Sequence, residues 1–440
     1  MVQAPPVYDA YLQRFQELAK TLPLPLWLQE MREEAIGRFL DLGFPVARRG
    51  NEPWKYTDLR PLAAIPFCQP PPPYPKIQAK GLRQILPWSP RWDVVTMVGG
   101  EYKASLSHIR GAQAQVWTLT QSLQEAPSLV EEHLARLAIY HNDAFAALNT
   151  ALFQDALVVV FQGSREAREL HVAFISPPGE GPYGHYPRLL VVVEKGARAS
   201  LIESYVGLGS GPYLTAAVTE VFLEEGASLE HYRLVMEPEA YHIGQLRVWQ
   251  DQGSSFHSVY FGRGSRIGRN DVRVELDGPK AEAYLYGLYV TQGQEHLDNY
   301  INIDHIKPHG TSRLLYRGIL DGASHAIFGG TVYVQPGAIK TDAEQEDKNL
   351  LLSREAEVDS KPALEIYADD VRCGHGAAAG AVADEALFYL RSRGLNRELA
   401  TRLLVKGFAT TVLDQIGPAR LRSFLEMVTF ASLPSLRSLG

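Results

Sequence analysis

The stretch DVRVELDGPKAEAYLYGLYV, Asp271 to Val290, decides the fold. Val272, Val274 and Leu276 alternate with Arg273 and Glu275. Tyr284, Tyr286, Leu288 and Val290 share one face, and Ala283, Leu285 and Tyr289 the other. A period of two is the signature of strands with a buried face. Between the two strands, LDGPKAE supplies a turn around Gly278. The same device recurs at EKGARAS (Gly196), EEGASLE (Gly226), DQGSSFH (Gly253) and LDGASHA (Gly322), at intervals of 30, 27, 25 and 44 residues. Ile301 and Ile303, alternating with Asn302 and Asp304, continue the pattern. No helical periodicity interrupts it for over 200 residues, which argues against βαβ units. A β-sandwich would place its turns about 8 to 12 residues apart. Both spacings occur locally, and the longer irregular one favours a solenoid in which strand stacks on strand.

Outward from this core the period changes. Trp27, Met31, Ala35 and Phe39, four apart, lay an apolar stripe along a helix that Gly43 and Pro45 stop. Residues 126 to 153 read as one further helix leading into the strands. Between them, Pro66 to Pro75 reads as an extended polyproline connector rather than a ligand for an SH3-type domain. Near the other end, Ala400, Leu404, Phe408, Val412 and Ile416 form a stripe closed by Gly417 and Pro418, followed by Leu421, Phe424, Leu425 and Val428. These stripes are expected to pack on each other, with leftover apolar surface open to a partner. The expected division is 1–150 helical with the proline connector, 151–378 strands and 379–440 helical.

The 440 residues suffice for a large core. A net charge of −7 does not favour nucleic acid or anionic lipid. Two cysteines, Cys68 and Cys373, exclude a disulfide framework. There is no basic and apolar leader pattern and no run near the roughly 20 residues that span a bilayer. A soluble cytoplasmic protein without nucleic-acid or membrane partners is expected.

The chain lacks most motifs that carry nucleotide or catalytic chemistry. No G-x-x-x-x-G-K-[ST] is present, so no nucleotide is expected on this chain. GLGSG (Gly207–Gly211) and GRGSRIG (Gly262–Gly268) read as turns, and H-E-x-x-H and G-x-S-x-G are missing. Asp369 and Asp370, being adjacent, cannot easily act on one bond and are expected in a turn. His305 and His309 have a metal-site spacing, but Pro308 argues against the helix that would align them. Cys68 reads as a small apolar residue. The remaining candidate is CGHG, Cys373 to Gly376. On an extended strand Cys373 and His375 point the same way, and thiol and imidazole both suit iron or zinc. Two ligands are too few for a closed site. Either the pair is structural, or a second chain completes the site.

The run KPALEIYADDVRCGHG (Lys361–Gly376), FYLRSRG (Phe388–Gly394) and the upstream NEPWKYTDL (Asn51–Leu59) closely resemble the SufB/SufD family. The likeness covers most of the chain from residue 51 on. It is greater to the SufD branch, because a SufB-type pattern carries a further cysteine upstream and this chain has none between Cys68 and Cys373. The resemblance implies a mostly β protein, a right-handed parallel β-helix flanked by N-terminal and C-terminal helical domains. It implies a non-catalytic scaffold of Suf iron–sulfur cluster assembly, pairing with SufB through the β-helix. A SufC ATPase would bind through the C-terminal helices and carry the ATPase activity. A nascent iron–sulfur cluster or its iron would be shared transiently with SufB at the interface. A flavin would belong to the full complex. His375 matches the family's histidine, and Cys373 the neighbouring thiol. The family usually has serine before the histidine and Ala-Thr after the following glycine; here these are Gly374, Ala377 and Ala378. That leaves the imidazole in place. Without SufB, a homodimer through edge strands is expected. The alternatives are a β-helix enzyme acting on polysaccharide, which would need clustered acids along a groove, and a metal-free homodimeric interaction scaffold.

Overall fold

The computed structural model describes residues 6–71, 73–110, 114–163, 169–179 and 182–431. The N-terminal elements are α1 (Pro6–Thr21), α2 (Leu26–Leu42), α3 (Arg60–Ala63), α4 (Ala79–Ile85), β1 (Asp93–Val98), β2 (Glu101–Tyr102), β3 (Ala114–Thr118), α5 (Leu119–Glu125), α6 (Pro127–His133) and α7 (Ala144–Leu152). From Leu157 to Ala381 every described regular element is a strand: β4 (Leu157–Phe161), β5 (Glu169–Ser176), β6 (Tyr183–His185), β7 (Arg188–Val193), β8 (Arg198–Gly207), β9 (Tyr213–Leu223), β10 (Ser228–Met236), β11 (Ala240–Gln250), β12 (Ser255–Arg263), β13 (Ile267–Leu276), β14 (Glu282–Thr291), β15 (His296–His305), β16 (Thr311–Leu320), β17 (His325–Val334), β18 (Asp342–Leu351), β19 (Glu357–Ile366) and β20 (Arg372–Ala381). Helices α8 (Asp384–Ser392), α9 (Arg397–Leu413) and α10 (Ala419–Ala431) follow.

The strands form a parallel β-solenoid of two facing sheets. One runs β2-β1-β5-β8-β10-β12-β14-β16-β18-β20, the other β19-β17-β15-β13-β11-β9-β7-β4-β3, with β6 beside β9. Among the described strands only β2 and β3, at the N-terminal end, pair antiparallel. Ser255 lies beside Glu282, Glu282 beside Thr311, Thr311 beside Asp342 and Asp342 beside Arg372, so a coil takes 27 to 31 residues.

One corner repeats throughout. Gly196, Gly226, Gly253, Lys280, His309, Lys340 and Asp370 all have positive φ, each two residues before a strand of the first sheet. The first six donate their N–H to a carbonyl of the next coil at 2.9 to 3.2 Å. The glycine repeat in the sequence therefore mixes corners. Gly322, with Gly264 and Gly293, turns into the second sheet, and at the first corner glycine gives way to lysine, histidine and aspartate. That is why the intervals were irregular.

Inside the solenoid lie Val272, Val274, Leu276, Ala283, Leu285 and Tyr289, as their alternation predicts. The outer faces are also apolar, and the helices cover them. Val405, Ala409, Val412, Leu421 and Leu425 pack on Ile202, Leu234, Phe261, Leu288 and Val290 of the first sheet. The C-terminal stripes thus dock chiefly on the solenoid rather than on each other. Each such valine, leucine or isoleucine side chain contributes about 1.5–3 kcal/mol on burial. Helix α9 ends at Leu413, four residues before Gly417. On the second sheet, Phe39, Phe145, Leu148 and Leu152 pack on Val158, Leu190 and Val218.

Residues 126–153 do not form one helix. The buried carboxylate of Glu220, ion-paired to Arg188, accepts the N–H groups of Ala135, Leu137 and Ala138 at 2.8 to 3.0 Å. Those amides are lost to a helix, and Ala135 takes positive φ. Asp143 then caps α7, accepting from Phe145 and Ala146. The segment NEPWKYTDL is strapped to the second sheet's outer face. The Arg269 guanidinium lies 4.0 Å from the Trp54 ring and donates to the Pro53 carbonyl at 2.7 Å. Thr57 donates to Asp298 at 2.6 Å, and Lys361 in the last coil pairs with Glu52 at 2.7 Å.

Candidate functional site

The CGHG motif lies on β20, the last strand of its sheet. Strand β19 ends the other sheet, so the solenoid is open at this end among the described residues. Corner hydrogen bonds lead into β20: Lys340 donates to the Asp370 carbonyl, and Arg372 to that of Thr341. Parallel register then sets Cys373 beside Ala343 and His375 beside Gln345. Ala343 and Gln345 face the interior, so Cys373 and His375 sit on the face that would be interior if another coil followed. None follows among the described residues, and β20 is exposed from Gly374 to Ala381.

The two candidate ligands differ. Cys373 is half-buried against the interior core. Burial pushes its thiol up, as does the nearby Asp342 charge, while the Ala343 backbone N–H opposes them. The thiol therefore stays protonated near neutrality, and only a bound metal would favour the thiolate. His375 is exposed. Its Nδ1 lies 3.5 Å from Gln345 Nε2, the outer limit of a hydrogen bond. That amide already donates to the carbonyls of Ala363 at 3.1 Å and Gly330 at 3.4 Å. The imidazole is held weakly and can turn outward. No group of three His, Cys, Asp or Glu side chains that could hold a metal gathers among the described residues. The arrangement offers two donors at an open edge.

The other candidates separate. His305 is buried with Nε2 2.8 Å from Ser312 Oγ, and burial lowers its pKa to about 4. His309 is an exposed corner residue, so the two share no ion. Asp369 and Asp370 lie in the turn before β20, and Asp370 pairs with Lys340. Cys68 is buried. Sequence reading passed over Gln345 and Asp347, which face inward directly beside His375 and Ala377.

A second surface stands out on the C-terminal helices. Phe388, Tyr389, Leu399, Leu403 and Met427 are exposed, Phe388 by 74%. Phe388, Arg391, Leu395 and Arg397 line a shallow pocket there. No helix among the described residues is long and apolar enough to cross a membrane.

Two family models match. The SUF system FeS cluster assembly SufBD core domain covers residues 176–408, and the SufBD protein N-terminal region covers 92–167. The core domain alone spans more than half of the chain. This chain belongs to the SufBD family. An iron-sulfur cluster assembly SufBD family protein of Synechocystis is 30% identical over 394 residues, 85% of each chain. The iron-sulfur cluster assembly protein SufD of Escherichia coli is 29% identical over 391 residues, 87% of this chain and 88% of that one. Protein ABCI7, chloroplastic, of Arabidopsis thaliana is 34% identical over 263 residues, 59% of this chain and 53% of that one. The SufBD core match contains the coils from β6 on, β20 with CGHG, and most of α9.

Proposed function

We propose that this SufBD family protein is a non-catalytic, SufD-like scaffold subunit of cytoplasmic iron–sulfur cluster assembly. It pairs through the open coil, β19 and β20, with a SufB-type subunit. His375, with Cys373 beside it, supplies this chain's share of an iron or nascent-cluster site at the joint. The cluster is cargo, passed on once built.

One observation carries the reading. Strand β20, RCGHGAAAGA, is ten residues long, exposed, and bears no charged side chain after Arg372. Edge strands are ordinarily blunted by charge, proline or bulges, because their free N–H and C=O groups recruit other strands. This edge is bare, and Cys373 and His375 stand on it. A strand added from a partner would satisfy the edge and bring the missing ligands. The exposed aromatic and aliphatic side chains of α8 and α9 give a SufC-type ATPase its docking surface. Closure of two such ATPases would pull on α9 and shift the coil joint.

The test is co-purification with SufB and SufC of the same organism, then anaerobic cluster reconstitution. A stable complex whose cluster yield falls with His375→Ala is expected. A stable complex with unchanged yield would remove His375 as a ligand, and no complex would remove the scaffold reading.

A further inference from the structure

We infer that the solenoid's open end contains a divalent-cation site beneath His375, built from the side-chain oxygens of Asp347 and Gln345. The inference rests on the proposed iron-facing role of His375 and deepens it.

In the coil below, the two corresponding inward positions are Leu314 and Tyr316, both in the core. In β18 they become Gln345 and Asp347, 2% and 0% exposed. Asp347 Oδ2 accepts from Ser360 Oγ and Asn349 Nδ2, both at 2.7 Å. Asp347 Oδ1 has no hydrogen-bond partner. Gln345 donates through Nε2 to Ala363 and Gly330, and its Oε1 also has no partner. A buried acceptor left unpaired costs about 1–3 kcal/mol, and a charged one more. Among the described residues no lysine or arginine forms an ion pair with Asp347; the nearby Arg317 pairs instead with Glu346 on the outer face. The two unpartnered oxygens belong to side chains two residues apart on one inward strand face, and Ser360 bonds to the same carboxylate. Acceptors alone attract a cation, not an anion.

His375 lies on the open side of this face. Parallel register sets His375 beside Gln345 and the small Ala377 beside Asp347. An ion entering from the open end meets the imidazole first and the carboxylate next. Carboxylate, amide oxygen and imidazole suit a divalent first-row ion such as ferrous iron, with manganese and cobalt as surrogates. The two oxygens would hold metal on this chain before a partner's ligands arrive.

The probe is Co(II), titrated into the full-length chain under anaerobic conditions and followed by equilibrium dialysis and visible absorption. One ion per chain is expected. Asp347→Asn, an isosteric change, should weaken binding by about tenfold or more. Gln345→Leu should weaken it too, and Co(II) should raise the melting temperature of the wild-type chain but not of Asp347→Asn. If Asp347→Asn fails to fold, Gln345→Leu and the wild-type melting shift decide. Wild-type affinity in Asp347→Asn, or in Gln345→Leu where Asp347→Asn fails to fold, overturns the inference, as does a wild-type chain that binds no Co(II). His375→Ala separates the two readings. Binding lost in Asp347→Asn but kept in His375→Ala retains this site and counts against His375 as a ligand. The reverse pattern retains His375 and removes this site.

Discussion

Lys280, His309, Lys340 and Asp370 occupy a left-handed corner that glycine holds in three earlier coils. A side chain there costs about 1–2 kcal/mol of backbone strain, partly offset by glycine's greater freedom in the unfolded chain. Lys280 is exposed. Lys280→Gly should therefore stabilise the protein by about 0.5 to 1 kcal/mol, seen as a higher thermal midpoint; a lower midpoint would contradict the corner assignment. Glu295 makes a second case. Burial raises its carboxyl to about 7, above its ordinary 4.5, against the Gln292 N–H and Arg263. The folded state then holds a proton that the unfolded state releases between those values, so stability falls as pH rises through that window. Glu295→Gln removes the loss. After discounting for partial exposure, it should gain about 1 kcal/mol at about pH 8 and almost nothing below about pH 4.5, read as melting temperature across pH. Equal gains at both would refute the burial argument. Residues of this kind were hidden in the sequence, because lysine and histidine at a corner carry no turn signal of their own.

At the scale of elements, legibility followed hydrophobic contrast. β13 alternates apolar with polar from Val272 to Leu276, and its buried face matched the reading. β18, DAEQEDKNLL, places alanine, glutamine, aspartate and asparagine inward. Polar residues on both faces leave a hydrophobic pattern nothing to detect, so Gln345 and Asp347 emerged only from the register. β1, in the first 150 residues, is a short apolar run without alternation, because its sheet is covered on both faces. The split of 126–153 depended on Glu220, far along the chain. For α9, the stripe was legible but its partner was not, since the apolar outer face of the first sheet lies on the same strands that line the interior. Two substitutions separate these roles. Val405→Asp, buried under the sheet, should destabilise the protein by about 3 kcal/mol or more. Leu403→Asp, on the exposed side and 44% accessible, should leave melting unchanged and abolish co-purification with the SufC-type ATPase. Retained ATPase binding would place that partner elsewhere.

For the whole molecule, the coils give this SufBD family chain a rod that is open, among the described residues, at β19 and β20. The helices brace the rod from outside, and the Asn51–Leu59 strap reaches the last coil through Glu52 and Lys361. The open end combines a bare edge, His375 and Cys373, and the unpartnered oxygens below them. The central claim is that this edge is completed by another subunit's strand. Hydrogen–deuterium exchange of the β20 amides, in the isolated chain and in the complex with SufB, tests it most directly. The amides of Arg372–Ala381 that do not donate to β18 should exchange fast alone and become protected in the complex. Unchanged exchange across β20 in a fully formed complex would contradict the account.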